Sequence, residues 1–176
     1  RVIPESVLDP KIKNRSRMFY MMANIEVSKH EGANNWALLL DPDDNVAEGT
    51  GANFFIVKDK ILYTPEPRNI LRGISREYIF NLAKELGLEY IEKNIDAFDV
   101  VTADEAFMTG TPFCMLPVTK LNGLNIGKGE RGPIFNKLLL KWSENVDVNI
   151  ESQIKTWSSQ IKLSKANTAT PYKFQS

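Results

Sequence analysis

Two charged residues have the types needed for chemistry on amines and carbonyl groups. Lys13 stands just before a segment of helical periodicity, and only the neutral, desolvated amine of a lysine attacks a carbonyl. Glu48 stands in AEGTGAN, at a predicted strand end where glycines allow a flat ring to approach the backbone. Such a carboxylate can hold a protonated ring nitrogen, because opposite charges favour both ionised forms. Taken alone, Lys13 also fits a solvated cation, and the glycines also fit a tight turn.

Two further segments have features of phosphate-binding loops. In RGISREY, Gly73 permits close approach, and the amides of Ile74 and Ser75 point outward at the start of a predicted helix. Free N–H groups and the helix dipole stabilise a phosphate at such a position. In MTGTPF, two threonine hydroxyls and a glycine follow a predicted strand. Each segment alone also fits an ordinary capped helix or a turn.

Patterns of apolar residues predict the elements that must position these groups. Apolar side chains recur at spacings of three and four over residues 15–30, which predicts a helix directly after Lys13. Two hairpins in series follow, one around PDDN and one around KDK, and Glu48 stands between them. The segment ISREYIFNLAKELG predicts a helix with Ser75 as its cap and Gly87 as its stop.

The remaining segments predict short strands mixed with helices. In chain order they are a strand over 88–95, a helical turn at the start of 96–105, a strand over 106–110, a strand and hairpin over 115–127, and a helix over 132–146. Residues from 149 onward are polar, and the pattern leaves open whether they dock or fray.

The composition excludes several classes of protein. The chain has 176 residues, of which 43% are hydrophobic, and it can bury the core of one medium domain. Its 22 basic residues balance 22 acidic ones, so its overall field would neither gather nucleic acid nor hold an anionic membrane. Its longest apolar runs are far shorter than the roughly 20 residues that cross a bilayer. We therefore expect no nucleic acid and no membrane as partner.

The counts of metal-binding and redox-active residues are equally restrictive. Cys114 is the one cysteine, which excludes an internal disulfide, and His30 is the one histidine, which leaves too few ligands for a zinc cluster. We therefore expect no metal, and a reducing, cytoplasmic compartment. The chain starts at Arg1, and RVIPESVLDP has two prolines and no hydrophobic period, so we expect that residues preceding it are missing.

The candidate segments, taken in order, resemble the class IV aminotransferases, which use pyridoxal 5'-phosphate and include the branched-chain amino acid aminotransferases. The resemblance covers the chain from about Ile12 to Val146. It is carried by IKNRSRMFYMMAN, AEGTGANFFIVKDKILYTP, ILRGISREYIFNLAKELG, ADEAFMTGTPFCMLPV and NIGKGERGPI. Each segment is a weak signal alone, whereas the ordered set is a strong one.

This resemblance implies an α+β fold, the large cofactor-binding domain of the family, with sheets in a pseudo-barrel flanked by helices. It also implies that the smaller N-terminal domain is absent from this chain. The implied boundaries are an interdomain linker over 1–11, the cofactor-binding domain over 12–148 and a C-terminal tail over 149–176. The family also implies a homodimer.

The resemblance further implies roles for the charged and apolar residues of the site. Lys13 matches the lysine that binds the cofactor covalently and then moves a proton as a free amine. Glu48 matches the carboxylate that pairs with the pyridine nitrogen and keeps it protonated. Leu71 matches the apolar residue that lies against one face of the ring.

The small and hydroxyl-bearing residues have implied roles as well. Ile74 and Ser75 match the amide-rich phosphate cup, and Thr111 matches the threonine that closes it. Asn53 and Gly51 match the framework of the glycine-rich turn. The implied cofactor-binding residues are Lys13, Arg17, Glu48, Gly51, Asn53, Leu71, Gly73, Ile74, Ser75 and Thr111, and the implied substrate-binding residues are Gly110, Thr111 and Pro112.

Three positions depart from the family pattern. Met18 stands where branched-chain enzymes often have a tyrosine directed at the phenolic oxygen of the cofactor, and Arg17 or Tyr20 is expected to replace that hydrogen bond. Pro112 stands where the family commonly offers a backbone N–H to the substrate carboxylate, and proline has none. Arg72 stands where a proline is common, and it either adds to phosphate binding or faces solvent.

The implied activity is transamination of a branched-chain or similarly apolar amino acid with 2-oxoglutarate, with pyridoxal 5'-phosphate as cofactor. The implied partners are the small-molecule amino acid and 2-oxo acid. Two alternatives share the cofactor framework, a D-amino acid aminotransferase and an aminodeoxychorismate lyase. A third is a binding or regulatory domain that has kept the fold without the chemistry.

Overall fold

A seven-stranded mixed sheet organises the part of the chain that carries the candidate site. The structure is a computed structural model, and it describes residue 2 and residues 4–14, 18–32 and 34–163. Two compact units are present, Arg1–Leu138 and Leu139–Ser176. Within the described residues, no helix combines the length and apolarity that a membrane span requires.

The elements alternate between short strands and helices. In chain order they are α1 (Met18–Val27), β1 (Leu38–Leu40), β2 (Val46–Gly49), β3 (Ala52–Lys58), β4 (Ile61–Thr64), α2 (Ile74–Glu85), β5 (Tyr90–Glu92), α3 (Ala97–Val101), β6 (Glu105–Gly110), β7 (Cys114–Val118), β8 (Lys120–Leu121), β9 (Leu124–Asn125), α4 (Pro133–Asn145) and α5 (Ile150–Leu163). The predicted α+β class and the two hairpins in series, β1–β2 and β3–β4, are confirmed. The pseudo-barrel arrangement and the domain boundaries stay predictions.

Strand β3 is the centre of the sheet. The order β1–β2–β3–β4–β5 runs to one side, β6 pairs with β3 on the other, and β7 pairs with β6. All pairings are antiparallel except that of β4 with β5. Residues 52–57 of β3 are all buried, which explains why its sequence reads as a continuous apolar run rather than as an alternation.

The two faces of β3 support different structures. Phe54 and Ile56 belong to one buried cluster, together with Ala106 and Met108 of β6. On the opposite face Phe55 stacks on Phe107 of β6, with ring centroids 5.0 Å apart. Helices pack on this second face, because Phe80 of α2 and Phe135 of α4 meet the stacked pair edge-on at 6.0 and 5.9 Å.

Helix α2 begins and ends by backbone geometry. Gly73 is its N-cap and forms no side-chain cap, so the prediction of Ser75 as the cap is wrong, because Ser75 is already the second helical residue. At the other end Gly87 has a φ of 64°, as predicted for the stop. The Gly87 N–H donates to Lys84 O at 3.2 Å and the Leu88 N–H donates to Ala83 O at 2.9 Å, a Schellman motif.

The second unit contains the end of α4 and helix α5. Asn149 caps α5, since its Oδ1 accepts the Ser152 N–H at 2.9 Å. The Ile150 N–H donates to Ser143 Oγ at 3.3 Å. Residues 150–163 of the predicted tail are therefore helical, and its last residues lie outside those that the structure describes.

The start of α4 is held by a carboxylate from the sheet. Glu105 on β6 is only 5% exposed, and its two oxygens accept the Ile134 and Phe135 N–H groups, both at 2.8 Å. These amides belong to the first turn of α4, where no helical carbonyl can pair with them. Glu105 thus does the work of an N-cap side chain from a distant strand.

We expect Glu105→Ala to lower the free energy of unfolding by about 2–3 kcal/mol, because it leaves two buried N–H groups without an acceptor. Urea unfolding measures this change. The exposed Glu130 lies near the same helix start, and Glu130→Ala is the matched control, with an expected change under about 0.5 kcal/mol. Equal effects of the two substitutions would contradict the capping role.

Candidate active site

A cleft of about 110 Å³ lies where β2, β3 and β6 meet the loop that precedes α2. Its lining includes most of the predicted site residues, namely Lys13, Glu48, Gly51, Asn53, Leu71, Gly73, Ile74, Ser75, Gly110 and Thr111. Pro112 is not part of the lining, and Arg17 lies outside the described residues. Segments far apart in the sequence therefore meet at one place.

Glu48 is the most enclosed charged group of this cleft, with 4% of its surface exposed. Its Oε1 accepts a hydrogen bond from the Tyr20 hydroxyl at 2.7 Å. Its Oε2 accepts from the Leu71 N–H at 3.1 Å and from Asn53 Nδ2 at 3.4 Å. An ionised carboxylate is an acceptor only, so donors from three separate segments suit a negative charge at this position.

Tyr20 was expected, as one of two alternatives, to reach the phenolic oxygen of the cofactor. In the structure its hydroxyl instead contacts the carboxylate that is expected to pair with the ring nitrogen. The side chain reaches Glu48 from helix α1, so α1 contributes directly to the orientation of the carboxylate. Sequence spacing alone held no signal for this contact.

Asn53 joins the strand to the loop before α2. Its Nδ2 donates to Leu71 O at 2.8 Å and, more weakly, to Glu48. Gly73 makes this junction possible, because a Cβ at that position would lie 2.2 Å from Asn53 Oδ1. The close approach of the loop to the strand therefore requires glycine at position 73.

The start of α2 offers backbone donors to the cleft. The helix begins at Ile74, so the N–H groups of Ile74, Ser75 and Arg76 precede the first intrahelical hydrogen bond, in which the Glu77 N–H donates to Gly73 O at 3.0 Å. Ile74 and Ser75 both line the cleft, together with Thr111 at the end of β6. Amides and a hydroxyl in this arrangement suit an anion.

The two lysines near the cleft differ in their surroundings. Lys11 is tied to Glu5 at 2.8 Å and to Asp9 at 3.3 Å, and the hydrogen bond to Glu5 raises the pKa of its ammonium group. Lys13 lines the cleft, and among the described residues no carboxylate forms an ion pair with it. The neutral amine that carbonyl chemistry requires is therefore more accessible at Lys13 than at Lys11.

Sequence reasoning missed two features of this cleft. The segment expected to be a linker supplies part of the wall, through Leu8, Asp9 and Pro10. Thr109 also lines the cleft, and its side chain is buried. A signal for Thr109 was present, because residues two apart on a strand share a face and Thr111 had been selected.

We expect Gly73→Ala to lower stability by about 1–3 kcal/mol, because the new methyl group would overlap the Asn53 side chain. Urea unfolding of Gly73→Ala, Asn53→Ala and the double variant measures the coupling between them. Since Asn53→Ala removes the clashing atom, the double variant should lose less than the sum of the two single losses. Strict additivity would contradict the proposed overlap.

Comparison with known proteins places this cleft in a family. Residues 1–121 match the model of the family described as amino-transferase class IV. The branched-chain-amino-acid aminotransferase of Pseudomonas aeruginosa is 41% identical over 131 residues, which are 74% of this chain and 42% of that protein.

Solved structures give the same result. The branched-chain amino acid aminotransferase of T.th., solved in complexes with N-(5'-phosphopyridoxyl)-L-glutamate and with 4-methylvaleric acid, superimposes with a TM-score of 0.74 at 33% identity, covering 80% of this chain and 48% of that one. The holo-form of the Thermobaculum terrenum enzyme, which contains PLP, also gives 0.74, at 34% identity over 80% and 47% of the two chains. The chain spans about half the length of these relatives. By its sequence match and its fold, the chain belongs to the class IV aminotransferases.

Proposed function

We propose that this chain binds pyridoxal 5'-phosphate and forms part of an aminotransferase that moves the amino group of a branched-chain or similarly apolar amino acid to 2-oxoglutarate. The observation that carries the proposal is the meeting of Lys13, the buried Glu48 carboxylate and the N-terminus of α2 in one cleft. An amine, an anion and a set of free amides are the groups that an aldehyde, a pyridinium and a phosphate require.

The donor set of the cleft fits this cofactor. Glu48 offers a negative charge held in place by three donors, which suits a protonated ring nitrogen. The amides of Ile74 and Ser75 and the hydroxyl of Thr111 suit the phosphate. Lys13 is the amine for the covalent bond. Leu71 would lie against the ring, while Gly51 and Gly73 leave space for it and Asn53 braces the carboxylate.

When bound, the cofactor supplies an electron sink for the electron pair left on the substrate Cα. The chain supplies the proton transfer. Lys13, once released from the cofactor by the substrate amine, takes the proton from Cα as a general base and delivers it to C4' as a general acid. Glu48 keeps the ring nitrogen protonated, so that negative charge developing in the ring is stabilised.

The walls of the cleft support an apolar substrate. Leu8, Pro10 and Ile12 line it, and each presents an apolar side chain. The relative solved with 4-methylvaleric acid binds a branched apolar carboxylic acid, and its complex with a phosphopyridoxyl derivative of L-glutamate supports the glutamate and 2-oxoglutarate pair. Pro112 has no N–H for a substrate carboxylate, so we propose the Gly110 and Thr111 backbone for that role. A homodimer in the cytoplasm is part of the same proposal.

We expect Lys13→Ala to abolish transamination and covalent attachment of the cofactor, because no other amine takes its place. Sodium borohydride reduction of the purified protein with bound cofactor, followed by peptide mapping, locates the modified lysine. Lys11→Ala is the matched control and should keep both the adduct and the activity. An adduct on a lysine other than Lys13 would refute the assignment.

We expect Glu48→Gln to lower kcat by about 10²-fold, on the order of 3 kcal/mol, because the side chain keeps its shape but loses the charge that favours the protonated ring nitrogen. Single-turnover rates at saturating cofactor measure the effect. Glu105→Gln alters another buried carboxylate, outside the cleft, and should change stability but not rate. A Glu48→Gln rate within about threefold of wild type would exclude the pyridinium contact.

Substrate class is decided by the amino donor. L-leucine, L-isoleucine and L-valine, each with 2-oxoglutarate, should give the fastest turnover. Turnover with D-alanine instead would assign a D-amino acid aminotransferase, and release of pyruvate from aminodeoxychorismate would assign the lyase. Cofactor absorbance without turnover of any of these compounds would assign a non-catalytic binding domain.

A further inference from the structure

The hydroxyl of Thr109 is buried without a partner. The side chain is 1% exposed, and within the described residues no hydrogen bond reaches its Oγ1. Thr64 gives a direct comparison, because it is also 1% exposed, but its Oγ1 donates to Phe54 O at 2.7 Å. A buried hydroxyl that makes no hydrogen bond costs free energy, so its presence calls for an explanation in function.

The register of the sheet directs this hydroxyl toward the cleft. Asn53 on β3 pairs with Glu48 on β2 and with Thr109 on β6. Side chains at directly paired positions of neighbouring strands project from the same face of a sheet. Glu48, Asn53 and Thr109 therefore form one transverse row, and all three line the cleft.

The position along this row indicates which part of a ligand Thr109 meets. Neighbouring strands lie about 4.8 Å apart, so Thr109, two strands from Glu48, is about 10 Å from the carboxylate. It directly precedes Gly110 and Thr111, which line the cleft together with the first residues of α2. Thr109 thus lies at the end where free amides converge, away from the negative charge.

We propose that the Thr109 hydroxyl donates a hydrogen bond to the phosphate group of the cofactor, as a buried partner at the base of the phosphate cup. This inference rests on the proposed binding of pyridoxal 5'-phosphate. Thr111 is exposed and stands at the mouth, whereas Thr109 is enclosed, so the two hydroxyls would meet the phosphate from different sides. A hydrogen bond to a charged oxygen compensates the cost of the buried hydroxyl.

The test uses Thr109→Val, which keeps the shape of the side chain and removes the hydroxyl, with Thr64→Val as the matched control and Thr109→Ser as the conservative variant. Dissociation constants for pyridoxal 5'-phosphate and for pyridoxal, which lacks the phosphate, are measured by absorbance titration. Urea unfolding is measured without ligand. Affinity and stability are thus read independently of enzymatic activity.

We expect Thr109→Val to weaken binding of pyridoxal 5'-phosphate by about 10-fold or more and to change binding of pyridoxal by less than about twofold. Its stability without ligand should equal or exceed that of the wild type, because no hydrogen bond of the protein is lost. Thr64→Val should do the reverse, lowering stability and leaving cofactor affinity unchanged. Thr109→Ser should stay near the wild-type affinity.

Three results would overturn the inference. The first is an unchanged affinity of Thr109→Val for pyridoxal 5'-phosphate. The second is an equal loss for pyridoxal, which would place the hydroxyl against the ring. The third is a loss of stability as large as that of Thr64→Val, which would reveal a partner within the protein. If the wild-type protein itself binds no pyridoxal 5'-phosphate, the proposed function fails first, and the two failures are thereby distinguished.

Discussion

The buried carboxylate of Glu48 is the constraint on which the arrangement of the site depends. A charge that is 4% exposed is costly unless donors surround it, and here the donors come from α1, from β3 and from the loop before α2. Each of these segments is held in place partly by what it gives to the carboxylate. The same contacts therefore assemble the cleft and fix the orientation of the charge.

The sheet makes this concentration of polar groups possible. Strand β3 is buried on both faces, and its aromatic side chains anchor α2 and α4 to the face that carries Asn53 at its end. The apolar part of that face supplies most of the burial free energy, which offsets the cost of the polar row at its edge. Glu105 lies on the same face at the opposite end of β6, where it fixes the start of α4. Both buried carboxylates accept backbone N–H groups, but only Glu48 faces a cleft.

The sequence predicted the elements well because their signals are local. The hairpins around PDDN and KDK and the helix that stops at Gly87 each follow from turn residues and periodicity, and all are present. The contact of Tyr20 with Glu48 joins residues 28 positions apart, and no local pattern encodes it. Ser75 was misplaced as a cap because serine is a common N-cap residue, whereas here the backbone of Gly73 fills that position and its contact with Asn53 requires a residue without a side chain.

The contrast between the two ends of the polar row shows how a site can be rigid and receptive at once. Glu48 and Asn53 bond to each other and to Leu71, so the end that must present a fixed charge is complete within the protein. Thr109 has no such partner among the described residues. A fold optimised for stability alone would place valine there, since the shape is the same and no hydroxyl would need to be satisfied. The presence of a threonine at this one position, beside a row that is otherwise paired internally, is explained when the missing partner is an oxygen of the ligand.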